Sequence, residues 1–247
     1  MLGLDRGVDL GVLDAGGVYA ETREVAALLD WTRDVLSPYG FTPDLSLPLV
    51  SVCRDELMFA FVDTVTSRWG HCFDLSSLAG LPLLGRTGLA AALGHAPDVG
   101  GRHRLVVLAF PHIGVDDQGG VGTVHRPGVP GITTACGAVD VARQALLDGV
   151  SGVVLDPHDV EESLLVQRLR RVLGDGIVPD LPHVTELVRR SAVEEMRLLL
   201  AGLATPELPV DFALFSGIVV HGSETDRVTL DSAELTVDGH QIDLLAS

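Results

Sequence analysis

The sequence predicts an α/β fold in which a mostly parallel β-sheet is flanked by helices and followed by a C-terminal β-hairpin. Three observations carry this reading. Residues 47–52 and 105–110 are short runs, apolar but for Ser51, as strands buried on both faces should be. Amphipathic helical stretches alternate with such runs, the pattern of a layered α/β domain. Residues 227–245 alternate in polarity around Asp238-Gly239, a pair suited to a tight hairpin turn. The chain has 247 residues, 47% of them apolar. That is enough for a sizeable core, and with no linker or internal repeat it is expected to form one domain over 1–247.

Residues 1–20 are Gly-rich and weakly patterned, and read as an N-terminal arm. Residues 22–36 form the first helix, with Val25, Leu28, Leu29, Trp31 and Val35 at helical spacing. Ser37-Pro38-Tyr39-Gly40 stops it. The run 47–52, LPLVSV, is a strand, and 54–67 a helix, so Cys53 stands where one gives way to the other. Residues 70–86 read as loop and 87–93 as a short helix. The run 105–110, LVVLAF, is the clearest buried strand and ends at Pro111-His112. Residues 114–131 hold six Gly and two Pro and read as an extended loop. Residues 135–147 form a helix that starts beside Cys136, and 150–155 another strand. Helices over about 158–173 and 183–204, a strand over 212–220 and the hairpin complete the chain.

The net charge is -17, which disfavours nucleic acid and anionic membrane as partners. All basic side chains other than His are Arg, and there is no Lys; a Schiff-base mechanism is therefore excluded. The N-terminus lacks the apolar stretch of a secretory signal, and no run reaches the ~18 apolar residues of a membrane span. The expectation is a cytoplasmic chain. Its three cysteines then point to metal binding, catalysis or burial rather than to disulfides.

Ligands of open α/β sheets bind beyond the carboxyl ends of the strands. Cys53 and His112 lie at two such ends. Cys136 lies near a helix N-terminus, where the dipole favours a thiolate. Two thiolates and one imidazole leave the fourth position of a tetrahedral ion vacant, the arrangement of a catalytic zinc. The spacing alone, without CxxC or HxxxH, would equally describe buried core residues.

The neighbouring residues add an ordered set of short motifs. These are Cys53-Arg54-Asp55-Glu56, Trp69-Gly70, Gly85-Arg86-Thr87-Gly88, Pro111-His112-Ile113-Gly114, Arg126-Pro127-Gly128 and Ala135-Cys136-Gly137-Ala138. The set resembles the limiting-CO2-inducible LCIB/LCIC family, theta-class carbonic anhydrases similar in fold to the beta class, over about residues 20–221. The resemblance implies a homodimeric, Zn2+-dependent enzyme that interconverts carbon dioxide and bicarbonate. Cys53, His112 and Cys136 would be its metal ligands. Beta-class enzymes carry an Asp two residues after the first Cys and an Arg two further on. Asp55 matches the Asp, but Leu57 stands at the Arg position. Arg54 is then the nearest candidate to partner Asp55, with Arg86 another.

The alternative within this family is a catalytically silent zinc-binding relative, acting in inorganic-carbon binding or as a partner protein. A zinc hydrolase would need a deeper polar pocket, and a thiol redox protein a CxxC pair. Cys72, beside His71, is expected to be structural. His95 and His103 are candidates for proton carriers at the entrance, although a surface position is the plainer reading.

Overall fold

The structure, a computed structural model, describes residues 21–126, 128–150, 154–174, 176–205, 207–222 and 225–246. The expected arm over 1–20 and the centre of the strand expected over 150–155 lie outside them. In chain order the elements are β1 (Arg23–Glu24), α1 (Val25–Leu36), β2 (Leu47–Val52), α2 (Phe59–Trp69), β3 (Phe73–Asp74) and α3 (Gly85–Leu93). Next come β4 (His103–Phe110), β5 (His112–Gly114), β6 (Thr123–His125), β7 (Ile132–Thr134), α4 (Gly137–Leu147), α5 (Val160–Leu173) and α6 (Leu181–Ala201). The chain ends with β8 (Val210–Ser216), β9 (Val219–His221), β10 (Asp226–Val228), β11 (Ser232–Val237) and β12 (His240–Asp243).

The main sheet has the order β12-β11-β8-β4-β2-β3. β3, β2, β4 and β8 run parallel, while β8–β11 and β11–β12 pair antiparallel. A second sheet, β1-β10-β9-β5, is parallel only between β9 and β5. The architecture is therefore mixed α/β rather than mostly parallel. The expected C-terminal hairpin is present, and its two strands extend the main sheet in the one sense a tight turn allows.

Helices cover the main sheet on both faces, and the side-chain alternation of β4 shows how. Val106, Leu108 and Phe110 join α1, α2, α4 and α5 in one apolar cluster. Leu105, Val107 and Ala109 join α3 and the C-terminal part of α6 in another. The residues from Leu105 to Phe110 are at most 1% exposed. Each large one contributes roughly 1.5–3 kcal/mol through its burial, which fixes the position of the strand end that carries the site.

One expected strand ends, and another divides, where the backbone requires it. Pro111 has no N–H, so the ladder of β4 stops there and β5 begins in the second sheet. The run expected as one strand over 212–220 becomes β8 and β9, one in each sheet. Gly217 sits at that crossing, where the Thr229 backbone lies close against its Cα. The loop expected over 114–131 contains β6, which pairs with β7. The helix expected from residue 54 starts as a single 3-10 turn, Glu56–Met58, before α2.

Candidate metal centre

The site lies beyond the carboxyl ends of β2 and β4. Cys53 immediately follows β2 and makes a parallel bridge to Ser77. Gly80, at φ +78°, lies so close beneath it that a Cβ would stand 3.3 Å from the Val52 carbonyl carbon. His112 opens β5 straight after the Pro111 break. Cys136 caps the N-terminus of α4 at φ 54°, a left-handed conformation that costs a non-glycine residue roughly 1–2 kcal/mol. Gly114 makes the approach of these segments possible. A Cβ there would lie 2.5 Å from the Thr123 carbonyl oxygen and 2.7 Å from the Ala135 Cβ. Ala135, the neighbour of Cys136, is tied back by its N–H to the Gly122 carbonyl at 2.8 Å.

The ligand atoms of Cys53, His112 and Cys136 all lie within 4.8 Å of one another, and all three residues are buried. His112 is 0% exposed and its Nε2 has no hydrogen-bond partner. A buried nitrogen without a partner is costly in a dry protein. Its other nitrogen, Nδ1, stands 3.0 Å from Nε2 of His221. The two thiols push each other's pKa in opposite directions. The Cys136 thiol, against the opposing cost of burial, draws the Cys53 thiol down to about 4. The hydrogen bond to Cys53, then burial, pushes the Cys136 thiol up. One sulfur thus ionises readily and the second needs a cation. Two sulfurs, one imidazole nitrogen and the absence of a competing hydrogen bond fit a borderline-soft tetrahedral ion such as zinc.

Asp55 closes one side of the cluster. Its Oδ2 is 4.0 Å from His112 Nε2. Oδ1 accepts the Leu57 N–H at 3.1 Å, so the residue caps the turn that begins α2's approach. The same carboxylate receives a two-pronged guanidinium: Nη1 of Arg126 at 2.8 Å and Nη2 at 2.9 Å. Burial pushes the Asp55 carboxyl up, but the Arg126 bonds and charge and the Leu57 N–H outweigh it. The group is held well below the usual carboxylate range. Arg126 is itself anchored by Thr133 Oγ1 at 3.0 Å, by the Thr134 carbonyl at 2.9 Å and by Glu56.

The partner of Asp55 is therefore Arg126, and neither Arg54 nor Arg86 takes that place. Arg54 points outward, donating to Glu161 at 2.5 Å and to the Ser76 carbonyl at 3.1 Å, with its side chain 58% exposed. Successive residues leaving a strand point to opposite sides. With Cys53 and Asp55 turned inward, Arg54 is turned out. Arg126 and His221 were invisible to spacing arguments, being 71 and 109 residues from the groups they bond. The Arg126-Pro127-Gly128 motif was the one available signal for the first. His103 begins β4 at the far end from His112, and His95 lies tilted against Phe73. Neither stands at this site. Cys72 is half-buried, 3.2 Å from Thr66 Oγ1. A cleft of about 340 Å³ touches Cys53, lined by apolar Met58, Phe59 and Val62 and by polar Arg54, Asp63, Asp74 and Ser76.

Among the described residues no helix is long and apolar enough to cross a membrane. Residues 23–234 match the profile of the limiting CO2-inducible proteins B/C beta carbonic anhydrases. The crystal structure of the limiting CO2-inducible protein LCIB is similar at a TM-score of 0.77 and 26% identity, over 92% of this chain and 95% of that one. That of PtLCIB4, a homolog of LCIB, is similar in fold at a TM-score of 0.79 and 22% identity, over 94% and 97%. No functionally curated protein matches.

Proposed function

This chain belongs to the limiting CO2-inducible protein B/C family of beta carbonic anhydrases, and on that premise we propose that it interconverts carbon dioxide and bicarbonate with a zinc ion held by Cys53, His112 and Cys136. The observation that carries the proposal is the convergence of two buried sulfurs and an unpartnered imidazole nitrogen within 4.8 Å, beside an ionised carboxylate. Zinc in such a donor set lowers the pKa of a bound water to near ~7, which makes a nucleophile available at neutral pH.

The chain's own residues supply the rest. Asp55, kept ionised by Arg126, is a hydrogen-bond acceptor with no proton to give. At the edge of the cluster it would accept a proton's hydrogen bond from the attacking water and so fix the direction of its lone pair. Arg126 holds the carboxylate in one orientation, because a bidentate pair is fixed in plane as well as in distance. Met58, Phe59 and Val62 form the apolar part of the cleft that touches Cys53, a surface suited to a small nonpolar substrate. A homodimer belongs to the same proposal; Phe59, beside the cleft, is 61% exposed, an apolar surface that a second copy would cover.

A second reading has its own support. The 4.0 Å between Asp55 Oδ2 and His112 Nε2 is short enough for a side-chain rotation to bring the carboxylate onto the metal. The chain would then bind zinc without turning over. Stopped-flow hydration assays of the zinc-loaded wild type and Asp55→Asn separate the two. The catalytic reading expects a fast wild type and a loss of ~10²-fold or more in the variant. A zinc-bound but inert wild type would favour the closed site.

A further inference from the structure

Strand register brings three polar side chains into a line behind the candidate metal centre. His112 lies two residues from Gly114 on β5, and Gly114 is the register partner of His221 on β9. His221 is in turn the register partner of Asp226 on β10. Residues two apart on a strand, and partners directly across a ladder, share a face. The result is a continuous chain. Asp226 Oδ1 is 2.9 Å from His221 Nδ1, and His221 Nε2 is 3.0 Å from His112 Nδ1. The two rings meet edge to face with centroids 5.0 Å apart. His221 is 1% exposed and His112 0%, so the bond between the two rings is shielded from water, while Asp226 stands part-exposed at the outer end.

With Asp226 ionised and both imidazoles neutral, every bond in the chain has one direction. An ionised Asp only accepts, so His221 Nδ1 carries the proton and donates to Asp226. A neutral imidazole protonated at Nδ1 presents a lone pair at Nε2. His221 Nε2 therefore accepts, and His112 Nδ1 must donate to it. His112 is then left with an unprotonated and unpartnered Nε2 facing the two sulfurs, a lone pair free for a cation. The opposite tautomer would place an N–H there and close the site to a cation.

We propose that His221 and Asp226 are positioning residues of the metal centre, which lock His112 in the tautomer and ring orientation that offers Nε2 to the ion. The proposal rests on the metal-binding reading given above. A partner behind a ligating histidine typically changes metal affinity by ~10–100-fold, and Asp226 to His221 is a two-step version of that support. Gly114 serves the same geometry: any side chain at that position would project onto the face the two histidines occupy, where the Thr123 and Ala135 atoms already lie.

Two variants of the full-length chain isolate the acceptor. His221→Gln keeps an oxygen able to accept from His112 Nδ1, and His221→Leu keeps similar bulk but accepts nothing. Zinc affinity is measured by competition with a chromophoric chelator, with the denaturation midpoint recorded beside it. The expected result is a ~10–100-fold weaker affinity for His221→Leu and a value within about threefold of wild type for His221→Gln. Equal affinity in wild type and a folded His221→Leu would overturn the proposal. Should His221→Leu not fold, nitrogen-15 NMR of the reduced, metal-free wild type decides. His221 is expected as the Nδ1–H tautomer with an unprotonated Nε2, and a proton on Nε2 would overturn the proposal. A wild type with the expected tautomers that fails to bind zinc would instead overturn the metal reading, and the positioning role with it.

Discussion

Replacing Arg126 with leucine isolates what the guanidinium does. Arg126→Leu removes two bonds to Asp55 and those to Glu56, Thr133 and Thr134. It leaves a carboxylate whose side chain is only 12% exposed without its counter-charge. Exposed pairs contribute about 0–1 kcal/mol and the breaking of fully buried pairs costs about 3–5. A pair this nearly buried, at 14% and 12% exposure, belongs between them, at about 2–3 kcal/mol at pH 7. The pH dependence carries a sign as well. The folded Asp55 pKa lies below its unfolded value of about 3.9. Its contribution is therefore complete above that value and is lost as pH falls toward the folded pKa. In the variant, burial is no longer outweighed, the folded pKa rises, and this acid-limb loss disappears. Urea denaturation of the metal-free protein between about pH 2.5 and 7 reads both effects. The same variant, zinc-loaded, should lose ~10²-fold in hydration rate, because Asp55 is free to rotate toward His112. Wild-type turnover together with an unchanged acid limb would refute the role given to Arg126.

Three further outcomes follow from the same geometry. Arg54→Ala should change hydration by less than about twofold and stability by no more than ~1 kcal/mol, since it removes an exposed pair with Glu161 and one exposed bond to the Ser76 carbonyl; a large loss of turnover would return Arg54 to the site. Gly114→Ala should cost about 1–3 kcal/mol in a thermal or urea melt and weaken zinc binding, because the added methyl meets Thr123 and Ala135; an unperturbed melt would show that the segments can move apart freely. Cys53→Ser, His112→Ala and Cys136→Ser should each fail to hold one zinc per chain by metal analysis, and full occupancy in any of them would remove that residue from the ligand set.

What the sequence revealed of this molecule depended on how local the signal was. β2 and β4 were readable because strands buried on both faces are near-continuously apolar. Cys53 and His112 were readable because they end those strands. The run over 212–220 concealed its division between two sheets, since the cause is the Thr229 backbone crossing Gly217 from elsewhere in the chain. The antiparallel edge of the main sheet was likewise hidden, because a hairpin's pattern does not say which strand it will join. Arg126 escaped because a Gly-rich segment gives no period from which to aim a side chain. His221 and Asp226 escaped because only sheet register brings them behind His112.

The central claim is that the cluster of Cys53, His112 and Cys136 carries out carbon dioxide hydration through a bound zinc. Its most direct test is the stopped-flow hydration rate of the wild-type chain followed through removal of the metal by a chelator and stepwise return of zinc. The rate is expected to vanish on stripping and to climb in proportion to added zinc, levelling at one equivalent per chain. A chain that takes up its full equivalent of zinc at these three residues, yet hydrates carbon dioxide no faster than buffer alone, would contradict it.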